Sequence, residues 1–185
     1  MPSEKDFTHE FNPLCQNVER WSARDEQSAE DEVGDFIYGL VRLLKPKVAI
    51  ETGCYLGDTT VAISKAIEKN AYGKFLACDT DEEKVNAVLG RFPALSSPVE
   101  VLKMSGEELI NKMDEIDFAF VDSGLPTERI REIGLIIPKL SRFGMIALHD
   151  VAPQHKLLHE LSQQIALSRV YLNCPRGLML YCKDF

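Results

Sequence analysis

From residue 47 onward, short apolar blocks alternate with stretches of helical periodicity. Upstream of them, Val33, Phe36, Ile37, Leu40, Val41 and Leu44 share one helical face, which predicts a helix over residues 28–44. Ser28 and Asp31 have the look of a capping box at its start, and Pro46 stops it. Strands are then predicted over 47–52, 74–79, 99–103, 116–121 and 144–149. Between and after them run helices over 59–69 and 106–112, and helices carrying three sets of residues: Val85, Val88, Leu89 and Phe92; Ile130, Ile133, Ile137 and Leu140; and Leu157, Leu158, Leu161 and Ile165. The strands are almost continuously apolar, as expected when helices cover both faces of a parallel sheet. The rhythm breaks at the end, where runs 169–173 and 178–183 are joined only by Cys174-Pro175-Arg176-Gly177. That link is too short for a crossover helix, so the two runs form an antiparallel hairpin.

The corner after the first strand reads "VAIETGCYLGDTT" over residues 48–60. Gly53 lets a ligand approach the backbone, and the free N–H groups of the next helix favour an anionic group. Acids recur where strands end: Glu51, Asp79, Asp122 and Asp150. Ligands of open α/β sheets bind beyond the carboxyl ends of the strands, so these four converge on one rim. Asp79, one strand beyond the glycine turn, is suited to accept both hydroxyls of a ribose. The bland alternative is a helix-capping acid.

Composition narrows the class of protein. The 185 residues suit a single domain, read as an N-terminal extension or lid over 1–27 and a ligand-binding domain over 28–185. The net charge is -8, and residues 1–32 alone hold nine acids and three bases. That balance argues against nucleic acid as a partner. No apolar run suits a membrane span and no signal pattern opens the chain, so the expected location is cytoplasmic. Five cysteines without C-x-x-C spacing fit reduced thiols, and Cys54 reads as a small tolerated side chain in the turn.

With "ETGCYLGDTT", "ACDTD", "DFAFVDSG" and "GMIALHDV" in order, residues 30–183 resemble class I S-adenosylmethionine-dependent methyltransferases. The nearest look is to small-molecule O-methyltransferases and the related family with His-Asp after the fifth strand. The resemblance implies a Rossmann-like, mostly parallel seven-stranded sheet with helices on both faces and a C-terminal antiparallel hairpin. It also implies roles for residues. Gly53, Tyr55 and Gly57 would line the methionine half of S-adenosylmethionine, with Thr59 or Thr60 on its carboxylate. Glu51, read from its place in the strand alone, either holds the amino group of a ligand or only fixes the turn. Asp79, with Thr80 beside it, would bind the ribose. Ser105, Gly106 and Glu107 would border the adenine. Asp122 would lie next to the sulfonium and the acceptor. An NAD site is disfavoured, because Tyr55 stands where a dinucleotide fingerprint needs its middle glycine.

The expected reaction is methyl transfer to a small-molecule acceptor, most simply at a hydroxyl oxygen, which needs deprotonation. His149 is the candidate general base, the other reading being a buried, hydrogen-bonded histidine at a strand end, and Asp122 is the second candidate catalytic residue. A Mg2+ ion on Asp122 and Asp150 is the other device. Two departures count against the metal: Val151 stands where the metal-dependent enzymes have Asn, and Leu125 or Pro126 where they offer a lysine. His155 and His159, at i, i+4 spacing, read as a solvated helical face. Other readings are a non-catalytic cofactor-binding partner subunit, or methylation of a protein or RNA. A homodimer is left open. Trp21 is a packing anchor for the N-terminal segment, which is read equally as a lid over the cofactor mouth, a frayed tail or a dimer arm.

Overall fold

The computed structural model describes residues 12, 14–91 and 99–183. Among the described residues, six α-helices and seven strands follow one another, alternating up to β6: α1 (Asp31–Leu44), β1 (Val48–Thr52), α2 (Asp58–Asn70), β2 (Lys74–Asp79), α3 (Glu82–Arg91), β3 (Val99–Lys103), α4 (Gly106–Asn111), β4 (Ile116–Val121), α5 (Pro126–Ile136), β5 (Leu140–His149), α6 (Lys156–Ser162), β6 (Ser168–Leu172) and β7 (Leu178–Cys182). The strands form one sheet in the order β3-β2-β1-β4-β5-β7-β6. β1 pairs in parallel with β2 and β4, whereas β7 runs antiparallel to both β5 and β6. The Rossmann-like sheet with its terminal hairpin is therefore present as the sequence implied.

The sheet separates two apolar cores. On one face, Val33, Ile37 and Val41 of α1 meet Ile63, Ala66 and Ile67 of α2 and Phe75, Phe118 and Phe120 of the strands. On the other, Leu109 and Ile110 of α4 and Ile133 and Ile136 of α5 pack on Ile50, Ala119, Ile146 and Leu148. Successive strand residues thus feed opposite cores, so both sides of each central strand are apolar. Burying each of the large side chains stabilises the fold by roughly 1.5–3 kcal/mol. Trp21 packs against the first core as expected.

Several boundaries differ from the sequence reading. α1 begins at Asp31, its N-cap is Glu30, and no side chain caps it. Ser28 instead donates its hydroxyl to Asp25. Leu140 opens β5 rather than closing α5, because Pro138 lies in a 3-10 turn over Ile137–Lys139 that ends the helix. Ile165 lies beyond α6. Phe92 lies outside the described residues. Among the described residues, no helix is long and apolar enough to cross a membrane.

The connections diverge between β1 and β4: from β1 the chain moves outward through β2 to β3, then returns to β4 on the other side. Beyond the carboxyl ends of those two strands lies the topological switch point, where open α/β sheets bind ligands.

Candidate active site

The corner leaving β1 is held by backbone bonds before any side chain acts. The N–H groups of Gly53 and Cys54 both donate to Cys78 O, at 2.9 and 3.0 Å. Gly53 has φ +79°, and a Cβ there would lie 2.5 Å from the carbonyl oxygen of Asp122. Only glycine combines that dihedral with that approach. Tyr55 also has a positive φ, of 45°, and its N–H donates to Asp79 Oδ2 at 3.1 Å. Asp79 Oδ1 accepts from the Asp81 N–H at 3.0 Å. The carboxylate thus fixes the glycine corner and the start of α3 together.

A cavity of about 550 Å³ opens beyond these strand ends. Gly53, Tyr55, Asp79, Thr80, Ser105, Gly106, Glu107 and Asp122 line it. The chain draws them from the last residue of β2, the turns after β1, β2, β3 and β4, and the first turn of α4. Ser105 caps α4 in a capping box with Glu108. Glu107 pairs with Arg131, another lining residue.

Four other expected residues stand apart from the lining. Gly57 lies against the Val88 side chain and is not part of the cavity wall. Thr59 and Thr60 are buried in the first turns of α2. Glu51 is fully buried and accepts a hydrogen bond from the Thr60 hydroxyl at 2.5 Å. Burial pushes its carboxyl up to about 8 against that hydrogen bond, with Asp122 and Asp79 adding to the rise, so it is largely protonated at neutral pH. The pair braces the underside of the corner.

His149, Asp122 and Asp150 do come together, with one potential ligand atom from each within 4.8 Å of the others. His149 itself is fully buried and does not line the cavity. Its Nδ1 lies 3.2 Å from Asp122 Oδ2 and its Nε2 lies 2.9 Å from Glu30 Oε2. Burial alone would push the imidazole down, but the charges of Asp122 and Asp150 and the hydrogen bonds to Asp122 and Glu30 push it up to about 10. It is therefore an imidazolium at neutral pH, with both nitrogens engaged. Of the two readings of the sequence, the fold builds the buried, hydrogen-bonded histidine at a strand end and not a free imidazole base at the cavity.

Sequence reasoning missed the groups that complete this cluster. Glu30 takes the Arg176 N–H on its other oxygen, at 2.9 Å. Burial opposes its ionisation, but the hydrogen bond and charge of His149 hold its pKa below the ordinary value. Arg129 and Arg176 both line the cavity and both contact Asp150. Glu132 reaches over from α5, where Oε2 accepts the hydroxyls of Thr52 and Ser123, each at 2.7 Å. Burial raises its pKa. Helical periodicity marks the apolar face of α5 and is silent about which polar residues turn back toward the strands, so only the acids at strand ends were readable.

The pair His155 and His159 also differs from expectation. His155 precedes α6 as its N-cap, so the two do not share a helical face. His159 is half-buried, 2.7 Å from Val151 O through Nδ1 and edge-on to Tyr171. Cys54 is buried, and burial drives its thiol far above the ordinary range, which fits an inert side chain.

Together these features define an open α/β fold with a polar cavity at its switch point. The family model described as "Methyltransferase domain" matches residues 50–151, more than half of the chain, so the protein belongs to that family, the class I S-adenosylmethionine-dependent methyltransferases. No curated protein matches the chain. Solved structures share the fold at low identity. An O-methyltransferase from Bacillus cereus in complex with SAH has a TM-score of 0.74 at 14% identity, covering 85% of this chain and 83% of that one. SAH-bound PaMTH1 from Podospora anserina has a TM-score of 0.71 at 17% identity, covering 82% and 78%. The O-methyltransferase TomG from Streptomyces achromogenes, involved in tomaymycin synthesis and in complex with SAM, has a TM-score of 0.70 at 12% identity, covering 86% and 83%.

Proposed function

We propose that the protein transfers a methyl group from S-adenosylmethionine to a hydroxyl oxygen of a small molecule. The observation that carries this reading is the shared cavity. Its walls combine the left-handed glycine corner, the carboxylate of Asp79 one strand away, and Asp122 at the end of β4. The residues fit the donor. Gly53 leaves room at the corner that any Cβ would fill. Asp79 offers an anionic acceptor pair for ribose hydroxyls, and Ser105, Gly106 and Glu107 form the wall for the base. Gly53 and Tyr55 take the methionine half. When bound, the donor supplies an electrophilic methyl carbon.

The chain's own groups then position and deprotonate the acceptor. Asp122 is the carboxylate that both lines the cavity and touches the buried cluster. It is placed to accept the acceptor's proton, with the His149 imidazolium behind it holding the carboxylate in orientation. Gln27 also lines the cavity, which supports residues before α1 as part of the acceptor wall. The O-methyltransferase neighbours support oxygen as the acceptor atom and a small molecule as its carrier. The test is a screen of hydroxylated and amino-bearing small molecules with methyl-labelled donor. Label is expected in hydroxylated compounds, with turnover reduced at least about a hundredfold by Asp122→Asn, a typical loss for a positioned acid or base. Donor binding without turnover on any acceptor would instead favour a non-catalytic partner subunit.

A further inference from the structure

The cluster of Asp122, His149 and Asp150 has the composition of a divalent-cation site, yet two arginines already hold its carboxylates. Arg129 Nη1 lies 3.1 Å from Asp122 Oδ1 and 2.9 Å from Asp150 Oδ2. Arg176 meets the same Asp150 side-on, with Nε 2.6 Å from Oδ1 and Nη2 2.8 Å from Oδ2. Asp122 Oδ1 and Asp150 Oδ1 have no aligned hydrogen bond, so these close contacts are ion pairs first. Backbone carbonyls hold both guanidiniums independently of the acids: Arg129 donates to Ser123 O and His149 O, and Arg176 to Ser28 O.

A magnesium ion needs carboxylate oxygens at about 2.0–2.1 Å and near-octahedral space around it. An ion that close to either Oδ1 atom would lie no more than about 5 Å from a guanidinium nitrogen, given that metal–oxygen distance. The two carboxylates are already neutralised by the two guanidiniums. A divalent ion would add two uncompensated charges to a buried site, a strongly unfavourable change. The donor set therefore does not fit a metal while both arginines are in place. Arg129 also has a terminal nitrogen, Nη2, without a partner among the described residues, while the side chain lines the cavity.

We propose that Arg129, braced by Arg176, takes the place of a divalent cation: it holds Asp122 and Asp150 together at the cavity and offers its free N–H group to the acceptor oxygen. The second half of this statement rests on the methyl-transfer reading; the charge replacement does not. A fixed guanidinium beside the acceptor oxygen stabilises its developing negative charge without metal chemistry.

Mn2+ binding followed by electron paramagnetic resonance tests the replacement directly. The full chain saturated with S-adenosylhomocysteine is expected to take up no Mn2+ at this cluster. Arg129→Gln is expected to gain a Mn2+ site at least about tenfold tighter than wild type, equal to about 1.4 kcal/mol. Adding Asp122→Asn to that variant should abolish the site. Arg176→Gln, which frees Asp150 alone, serves if Arg129→Gln does not fold; if neither folds, the wild-type result decides. Mn2+ bound by wild type and lost in Asp122→Asn would overturn the proposal, as would folded arginine variants that gain no ion. Failure of the wild type to bind S-adenosylhomocysteine in the same samples would defeat the methyl-transfer reading and leave the Mn2+ result standing.

Discussion

Single residues carry the sharpest constraints in this molecule. At Gly53 the limit is backbone against backbone: a Cβ would lie 2.5 Å from Asp122 O and 2.7 Å from Ser123 Cα, at φ +79°. Neither neighbour is a flexible side chain that can swing away. Gly53→Ala is expected to destabilise the fold by at least roughly 1–3 kcal/mol from backbone strain. A urea unfolding midpoint measures that loss, and an unchanged midpoint would mean the corner is looser than described. His149 makes an equally specific case. Its folded pKa, about 10, lies above the ordinary 6.5 because flanking carboxylates outweigh burial. The bound proton therefore contributes stability in full below pH 6.5, and that contribution is lost as the pH rises through about 10. Its ring 15N resonances are expected to show no titration between pH 6 and 8, within the window set by that shift. A midpoint near the ordinary value would contradict the buried cluster. The carboxylates of this cluster were legible because they end strands. Glu30, Arg129 and Arg176 were not, since their partners lie far off in sequence: 119 positions separate Glu30 from His149.

Elements were more legible than the contacts between them. β2, β3 and β4 fall where continuous apolar runs predicted them, because strands buried on both faces leave a pattern that polar loops interrupt. The start of α1 was misread, since Ser28 and Asp31 supply capping-type residues but Glu30 occupies the cap position for a different purpose. The corner between β1 and α2 hides a further device. Glu51, next to the end of β1, reads in sequence either as a partner for a ligand's amino group or as a residue that fixes the turn, and its bond to Thr60 ties β1 to α2. Its folded pKa of about 8 exceeds the ordinary 4.5, so the folded state binds more protons than the unfolded state between those values. Stability should consequently fall as the pH rises from about 4.5 to 8. Glu51→Gln keeps a neutral side chain at every pH, and thermal melts of this variant across that window should lack the Glu51 share of the slope. Identical slopes in variant and wild type would show that Glu51 is ionised in the fold.

At the scale of the whole molecule, the N-terminal segment joins the site to the far edge of the sheet. Arg24 pairs with Asp58 at the start of α2, while Asn12 donates to Cys174 O beyond β6. Arg176 in the β6–β7 loop donates to Ser28 O and also grips Asp150. Ligand in the cavity would therefore stabilise the segment, the hairpin loop and the strand ends together. Limited proteolysis around residues 20–30 is expected to slow on addition of S-adenosylhomocysteine. Unchanged cleavage would separate this segment from the ligand site. The arrangement also explains why sequence reading reached the wall built from strand ends better than the rest of the cavity. That wall is built from strand ends and a glycine turn, which local patterns record, while Gln27, Arg129 and Arg176 reach the cavity from elements distant in sequence.

The central claim is that the β1 corner and Asp79 clasp an adenosyl donor, and isothermal titration of S-adenosylhomocysteine into wild type and Asp79→Ala tests it most directly. One molecule should bind per chain, and the variant should bind roughly tenfold to a hundredfold more weakly, the range expected for losing hydrogen bonds to a charged acceptor. Absence of binding to the folded wild type, or equal affinity in the two proteins, would contradict the account.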